Sequence, residues 1–438
     1  MLYRKIEPKI REFLSSQSDR ILLVEGARQV GKSFIIRHVG QELFENYIEL
    51  NFAEDKSGDQ IFANVKTTEE FYITVSAIAG HKMGNKENTL IFFDEIQEYP
   101  QYLTLLKFLR QEGRFSYIAS GSLLGITLKR TVSIPVGSLK ILRMYPLDFE
   151  EFLIANEVGR DVIDYLRKCF QEVTSPLPNI HNKILEIFKR YLIVGGMPDA
   201  VNEYLKSQNI SLVRDIQEDI HMLYANDASK YDLEHKLKII RIYNLLPSVL
   251  ANKKKRLVFR DFEDVKGKRA SDYEDEVDYL IDSGITLPVK AISNPKFPLA
   301  ESEYKNLIKL YLNDVGILSA LLFRTNITPI LNNAESVNLG ALYECAVAME
   351  LASLHNKLFY YDNKKYGEVD FLIDNYDSLS ILPIEVKSGK DYYVHSSLNR
   401  FVSTPDYGVK KAIVLSNSGE IQQINGITYY PVYMSMYL

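Results

Sequence analysis

The sequence predicts an α/β protein of more than one domain, on three observations. Between Ile21 and about Pro146, short apolar runs (ILLVE, YIELNF, TLIFFDE, FSYIAS) alternate with helical stretches such as SFIIRHVG and YLTLLKFLRQEG. That rhythm belongs to a mostly parallel sheet covered by helices. Near the far end, GEVDFLIDNYDSLSILPIEVKSGK reads as two strands bearing acids where a buried strand disfavours them. The length, 438 residues, exceeds the usual domain size of ~100–200, so two or three domains are expected, each with its own core.

Taken in order, residues 1–147 form the first α/β domain. Residues 148–232 turn helical (FEEFLIAN, KILEIFKRYLIV, LVRDIQEDIHMLYAND), broken by GGMPDA at Gly195–Ala200, and read as a helical lid on that domain. Residues 233–322 hold three short amphipathic helices followed by two strand-like runs, ITLPVKAIS and KNLIKLYLN, the plan of a winged helix. Residues 323–334, rich in Asn and Thr, read as a linker, and 335–438 as a final α/β domain. The two cysteines, Cys169 and Cys345, lie in apolar helical contexts without metal-ligand spacing and are expected as core thiols of a reducing compartment.

No run of ~18 apolar residues is present to span a bilayer, and the charged N-terminus lacks a secretory h-region, so a cytoplasmic protein without membrane contact is expected. A net charge of −5 argues against a surface coated for nucleic acid. Contact with DNA or RNA would be confined to a local basic surface. Lys253-Lys254-Lys255-Arg256 and Lys266-Gly267-Lys268-Arg269 are the candidates, either gripping a phosphate backbone or serving as solvated helix ends. The helix that follows them, from Ser271 to Ser283, carries Asp272, Glu274, Asp275, Glu276, Asp278 and Asp282 with no Lys or Arg. A recognition helix facing phosphates would be repelled by these acids, so the middle domain reads as a packing or protein-partner module.

Gly26-Ala27-Arg28-Gln29-Val30-Gly31-Lys32-Ser33 fits G-x-x-x-x-G-K-[ST] and lies between the strand ILLVE and the helix SFIIRHVG. The loop curls so that backbone N–H groups face phosphates. Lys32 then reaches the β- and γ-phosphates of ATP, and Ser33 ligates Mg²⁺. Leu90-Ile91-Phe92-Phe93-Asp94-Glu95 is a continuously apolar strand ending in two acids at the edge where ligands bind. Asp94 is expected to hold the Mg²⁺ through water and Glu95 to orient or deprotonate the attacking water. On the next strand, FSYIASGS, Ser120 or Ser122 is placed to sense the γ-phosphate, or Ser120 serves as a turn residue.

In IEVK, Glu385 and Lys387 are two apart on a strand and share a face, and Asp370 on the preceding strand can meet them. Carboxylate oxygens suit Mg²⁺ or Mn²⁺, and a neighbouring lysine can orient water or stabilise charge on a cleaved phosphodiester. The alternative is a charged sheet face with a cross-strand salt bridge.

On GARQVGKS, LIFFDEIQ, IASGS, MYPLDFEEFL, GGMPDA, GEVDFLI and IEVKSG, the chain resembles, over nearly its whole length, the prokaryotic AAA-type P-loop ATPases that precede a C-terminal nuclease-like domain. The rear motif resembles the PD-(D/E)xK nucleases, with Glu344 of GALYECAVAME supplying the acid of the preceding helix as a third metal ligand and no Pro before Asp370. The resemblance implies a P-loop NTPase fold, a restriction-endonuclease-like last domain, and assembly into homo-oligomers. Many relatives carry Gly-Arg before the Y-P-L segment where this chain has Gly137-Ser138, which leaves Arg130 or Arg143 as the nearest charge-stabilising arginine. The expected function is an ATP-hydrolysing switch coupled to a metal-dependent nuclease-like domain that binds or cuts nucleic acid. The alternative is an ATP-dependent regulatory protein whose nuclease-like domain does not cut.

Overall fold

The computed structural model describes residues 1–16, 18–122, 137–227, 233–258, 270–334, 337–354 and 357–438. They divide into two compact units, one of Arg4–Tyr145 with Asp282–Gly284, the other of Met1–Tyr3, Pro146–Ile281 and Ile285–Leu438. Arg130, the cluster Lys266–Arg269 and the expected helix FRDFEDVKG lie outside the described residues.

The first unit is a parallel sheet of β1 (Ile21–Glu25), β2 (Asn46–Asn51), β3 (Thr89–Asp94), β4 (Ser116–Gly121) and β5 (Leu139–Arg143), in the order β2-β3-β4-β1-β5. The helices α1 (Ile6–Ser15), α2 (Lys32–Leu43), α3 (Phe52–Ser57), α4 (Thr68–Ala79) and α5 (Gln101–Glu112) accompany it. Every residue of β3 is buried, as a central strand covered on both faces requires. Phe52 anchors the core with its ring centroid 4.5 Å from that of Tyr102 and 5.8 Å from that of Phe93. Local signals start the helices: Thr67 and Glu70 form a reciprocal capping box at α4. Gly26 closes β1 against the chain leaving β5, where a Cβ would stand 2.2 Å from the Met144 carbonyl oxygen.

The second unit begins with α6 (Phe149–Ala155), α7 (Arg160–Glu172), α8 (Pro178–Val194), α9 (Pro198–Ser207), α10 (Ile210–Asp227), α11 (Leu233–Ala251) and α12 (Glu274–Asp282, all but its last residue). Its sheet has eight strands in the order β12-β13-β11-β10-β9-β8-β6-β7. These are β6 (Thr286–Ile292), β7 (Glu303–Leu312), β8 (Leu358–Asn363), β9 (Gly367–Asn375), β10 (Ser380–Val386), β11 (Ala412–Ser416), β12 (Gln422–Ile424) and β13 (Ile427–Pro431). Four further helices complete it: α13 (Val315–Phe323), α14 (Thr328–Leu331), the buried α15 (Gly340–Ser353) and α16 (Ser396–Val402).

This unit departs from several expectations. The helices from 149 to 227, expected as a lid on the first domain, group with the second unit. Their aromatic residues pack there: Phe188 lies 5.9 Å from Tyr343 and Phe170 4.7 Å from Tyr430, ring to ring. The hairpin expected as a wing does form, but β6 pairs in parallel with β8, so it extends the C-terminal sheet. Within the stretch read as a linker, Thr328–Leu331 is a helical turn with proline near its start and Ile330 fully buried. In the acidic helix α12, Glu276 is turned inward, 2.8 Å from His235 and 3.6 Å from Lys238.

GGMPDA has a structural role. Gly195 follows α8 with φ +73°, and a Cβ there would meet an Asp314 carboxylate oxygen at 2.2 Å. Asp314, fully buried at the start of α13, accepts from Gly196 N at 2.6 Å and Ile317 N at 2.9 Å. Burial pushes this carboxyl up to about 6 against the pull of those N–H donors. Asp314→Ala leaves both donors buried and unpaired, and is expected to cost about 2–4 kcal/mol. A fall in the second unit's melting temperature by scanning calorimetry is the check.

Both cysteines are buried and free. Among the described residues, no helix is long and apolar enough to cross a membrane.

Candidate functional sites

In the first unit, residues Gly26 to Gly31 form the turn between β1 and α2, and Lys32 and Ser33 open the helix. Ala27 and Val30 are buried, whereas Arg28 and Gln29 are more open, Gln29 with φ +64°. The Lys32 ammonium is buried and donates to the carbonyls of Gly26 at 3.0 Å and Ala27 at 2.8 Å. Burial pushes it down to about 8, although Glu95 and Asp94 favour its charge. Parallel pairing of β3 with β4 brings Asp94 and Ser120 to the same sheet edge. Asp94 Oδ1 accepts from Ser33 Oγ at 2.9 Å and from Ser120 Oγ. Burial raises the Asp94 carboxyl, and the two serine hydroxyls oppose the rise.

Glu95 leaves the strand in the left-handed region, φ +52°, and its carboxylate accepts from Ser122 Oγ at 3.2 Å and from Gln97 Nε2. Both serines therefore reach the site, Ser120 on Asp94 and Ser122 on Glu95. Arg143 pairs with Glu25 across the neighbouring strand at 2.7 Å. A buried cation at the loop, with a hydroxyl and a carboxylate in contact, is a donor set that fits a nucleotide phosphate and Mg²⁺.

In the second unit, β9 and β10 run antiparallel with Phe371 opposite Ile384, which sets Asp370 beside Glu385 on the other face. Asp370 Oδ2 accepts from Val386 N at 2.9 Å, and Glu385 Oε1 pairs with Lys387 Nζ at 2.8 Å. Glu385 Oε2 is buried with no partner. Burial drives the Asp370 carboxyl well up, reinforced by Glu385 and Glu344 and opposed by Lys309 and Lys255. Glu385 is also raised by burial, with Lys387 opposing.

Glu344 projects from α15 with both oxygens engaged, Oε1 by Lys255 Nζ and Oε2 by the Tyr311 hydroxyl at 2.8 Å. Lys309, fully buried on β7, pairs with Glu368 of β9 and lies 4.7 Å from the Tyr360 ring. Burial disfavours the Lys309 charge, but Glu368, Glu344 and Asp370 outweigh it and hold the ammonium above its ordinary value. Among the described residues, no three His, Cys, Asp or Glu side chains stand close enough together to hold a metal. The expected set of Glu344, Asp370 and Glu385 is thus not gathered, because Glu344 is tied to Lys255 and Tyr311. The pair Asp370 and Glu385, with one unpartnered buried oxygen, retains the donors a divalent ion takes.

A family profile described as an AAA domain matches residues 18–153, which span β1 to β5 and include Asp94 and Glu95. The chain carries an AAA-type ATPase domain. Two further profiles, both described as domains of unknown function, match residues 185–328 (DUF8612) and 339–434 (DUF4143). Among solved structures, the chain is similar to the Walker-type ATPase PABY2304 of Pyrococcus abyssi, at 16% identity and a TM-score of 0.44, covering 73% of this chain and 96% of that one. It is also similar to the RuvB Holliday junction branch migration motor of Thermotoga maritima (11% identity, TM-score 0.31, 65% and 89% covered). Cdc6p of Pyrobaculum aerophilum follows at 13% identity and a TM-score of 0.26, with 75% and 94% covered. No curated protein matches.

Sequence reasoning missed residues at both sites. In the AAA domain, Arg4 donates to the Val30 carbonyl at 2.8 Å and the Tyr145 carbonyl at 2.5 Å, bracing the phosphate loop from the N-terminus. Gln97, in the quoted LIFFDEIQ, holds Glu95. Lys255 and Arg256, read as backbone-gripping or solvated, instead pair with Glu344 and, at 3.3 Å, with Asp362. Lys309 and Tyr311 sit in KNLIKLYLN, which reads from the sequence only as a strand.

Proposed function

We propose that the chain is an ATP-hydrolysing switch coupled to a metal-dependent, nuclease-like domain of restriction-endonuclease type that acts on nucleic acid. Lys32 and the loop from Gly26 to Gly31 bind the phosphates, Ser33 and Asp94 hold Mg²⁺, Ser120 and Ser122 support the two acids, and Glu95 positions and deprotonates water. In the second unit Asp370 and Glu385 take Mg²⁺ or Mn²⁺, which supplies electrostatic stabilisation at a phosphodiester. Lys387 orients the attacking water. The observation that carries this reading is the nearness of Asp370 on β9 to Glu385 and Lys387 at the end of β10, with one Glu385 oxygen buried and without a partner.

A second reading has its own observation. Each of three lysines, Lys255, Lys309 and Lys387, neutralises one acid of the cluster. That balance favours a domain that binds nucleic acid or a protein partner without cutting. The helices from 233 to 282 are the surface for such a partner, and homo-oligomers complete the ATPase in this account.

Titrating Mn²⁺ into the nucleotide-free full chain tests the metal reading. An Asp94→Asn background silences the first unit's ion. One equivalent is expected to bind, and Asp370→Asn is expected to lose it; equal uptake by both would refute the metal site. A fragment beginning near Asn333 does not serve, since it lacks β6 and β7 of the same sheet.

A further inference from the structure

Lys255 differs from the other two lysines of the cluster. Lys387 belongs to the strand motif itself, and Lys309 is sealed in the sheet with no exposed surface. Lys255 instead lies on the chain just past α11, in the left-handed region at φ +50°, which non-glycine residues seldom adopt and which clusters where structure is poised to change. Lys255 is one of the residues that line a cavity of about 250 Å³, with Leu245, Val249 and Val258 as its apolar lining and Ser248, Asn252, Lys254 and Arg256 as its polar lining. The side chain thus has room beside it, although Lys254 and Arg256 offer the ammonium no counter-charge there, so Glu344 is the acid that holds it. The ammonium comes to within 3.7 Å of the position a Gly340 Cβ would take, at the first turn of α15. An ammonium is disfavoured near a helix N-terminus, and Glu344 is the counter-charge that keeps it there.

We propose that the Lys255 ammonium is a built-in counter-cation of the carboxylate site: it holds Glu344 in the metal-free protein, and a divalent ion on Asp370 and Glu385 must displace it to recruit Glu344. The inference rests on the reading of Asp370 and Glu385 as metal ligands. It makes the site self-limiting, because Lys255 competes with the ion for the helix acid. Two of the three expected ligands are then in place, and the third arrives only when Lys255 lets go of Glu344.

The test measures Mn²⁺ affinity by the electron paramagnetic resonance signal of the free ion, on the nucleotide-free full chain in the Asp94→Asn background. Lys255→Met is expected to tighten Mn²⁺ binding by roughly tenfold or more, the scale on which groups contacting a ligand tune a site. Lys255→Arg, which keeps the charge, is expected to bind no more tightly than the parent. Unchanged or weaker binding by Lys255→Met, while Asp370→Asn abolishes uptake, overturns the inference and leaves the metal reading intact. Undiminished binding by Asp370→Asn overturns both. A second measurement needs no change at Lys255. Mn²⁺ is expected to raise acylation of Lys255 by an amine-reactive ester several-fold, read by peptide mass spectrometry, and to have no effect in Asp370→Asn. Equal labelling with and without Mn²⁺ in the parent overturns the inference.

Discussion

Glu95→Gln is expected to bind ATP as the wild type does and to hydrolyse it about 100- to 10,000-fold more slowly, the range that a positioned general base contributes. The geometry gives the reason. Asp94 and Ser33 touch each other and are left unaltered, so the nucleotide and its ion keep their ligands. Glu95 turns out of β3 with its carboxylate held by Ser122 and Gln97, a fixed acceptor beside the phosphate loop. Glutamine preserves the shape and loses the basicity. Phosphate release in single-turnover assays, set beside equilibrium ATP binding, separates the two effects; hydrolysis at the wild-type rate would remove Glu95 from its role.

Lys32→Ala is expected to act on binding itself, weakening ATP by about 2–5 kcal/mol, or roughly 30-fold and more, as truncation of a buried, hydrogen-bonded charge does. The ammonium donates to the Gly26 and Ala27 carbonyls, and burial holds it at about 8. Its pKa lies below the ordinary lysine value of about 10.4, so in the free protein the group loses its proton as pH rises through about 8. Phosphate charge favours the protonated form, and therefore ATP binding near that pH is expected to take up a proton. Calorimetry in two buffers of different ionisation enthalpy shows the uptake. Lys32→Ala should abolish it, and a buffer-independent binding enthalpy in the wild type near pH 8 would contradict the assignment.

Most of the AAA domain was legible because its signals are local. The phosphate loop is a contiguous run between a strand and a helix, and β3 announces its burial by being apolar until Asp94. Ser120 and Ser122 were singled out with alternatives open, since only the register of β4 against β3 shows which acid each hydroxyl meets. The second unit yielded less. Asp370, Glu385 and Lys387 could be brought together from strand alternation, because two adjacent antiparallel strands leave little freedom. Lys309 meets Glu368 across 59 residues and Lys255 meets Glu344 across 89. No periodicity encodes such a pairing. A lysine in KNLIKLYLN reads as solvent-facing until β6 is seen to pair with β8, which places the hairpin in the same sheet as β9. The helices from 149 to 227 read as a lid yet group with the second unit for a similar reason. Their apolar faces mark them as packed without saying on what.

The central claim is that the second unit is a metal-dependent nuclease-like domain, and cleavage tests it most directly. The full chain is incubated with single- and double-stranded DNA and RNA in Mg²⁺ or Mn²⁺, with wild type, Lys387→Ala and Asp370→Asn in parallel. The account predicts metal-dependent strand cleavage by the wild type and its loss, by about 100-fold or more, in both variants. Tight binding of nucleic acid without cleavage in either metal, or cleavage that both variants retain, would contradict it.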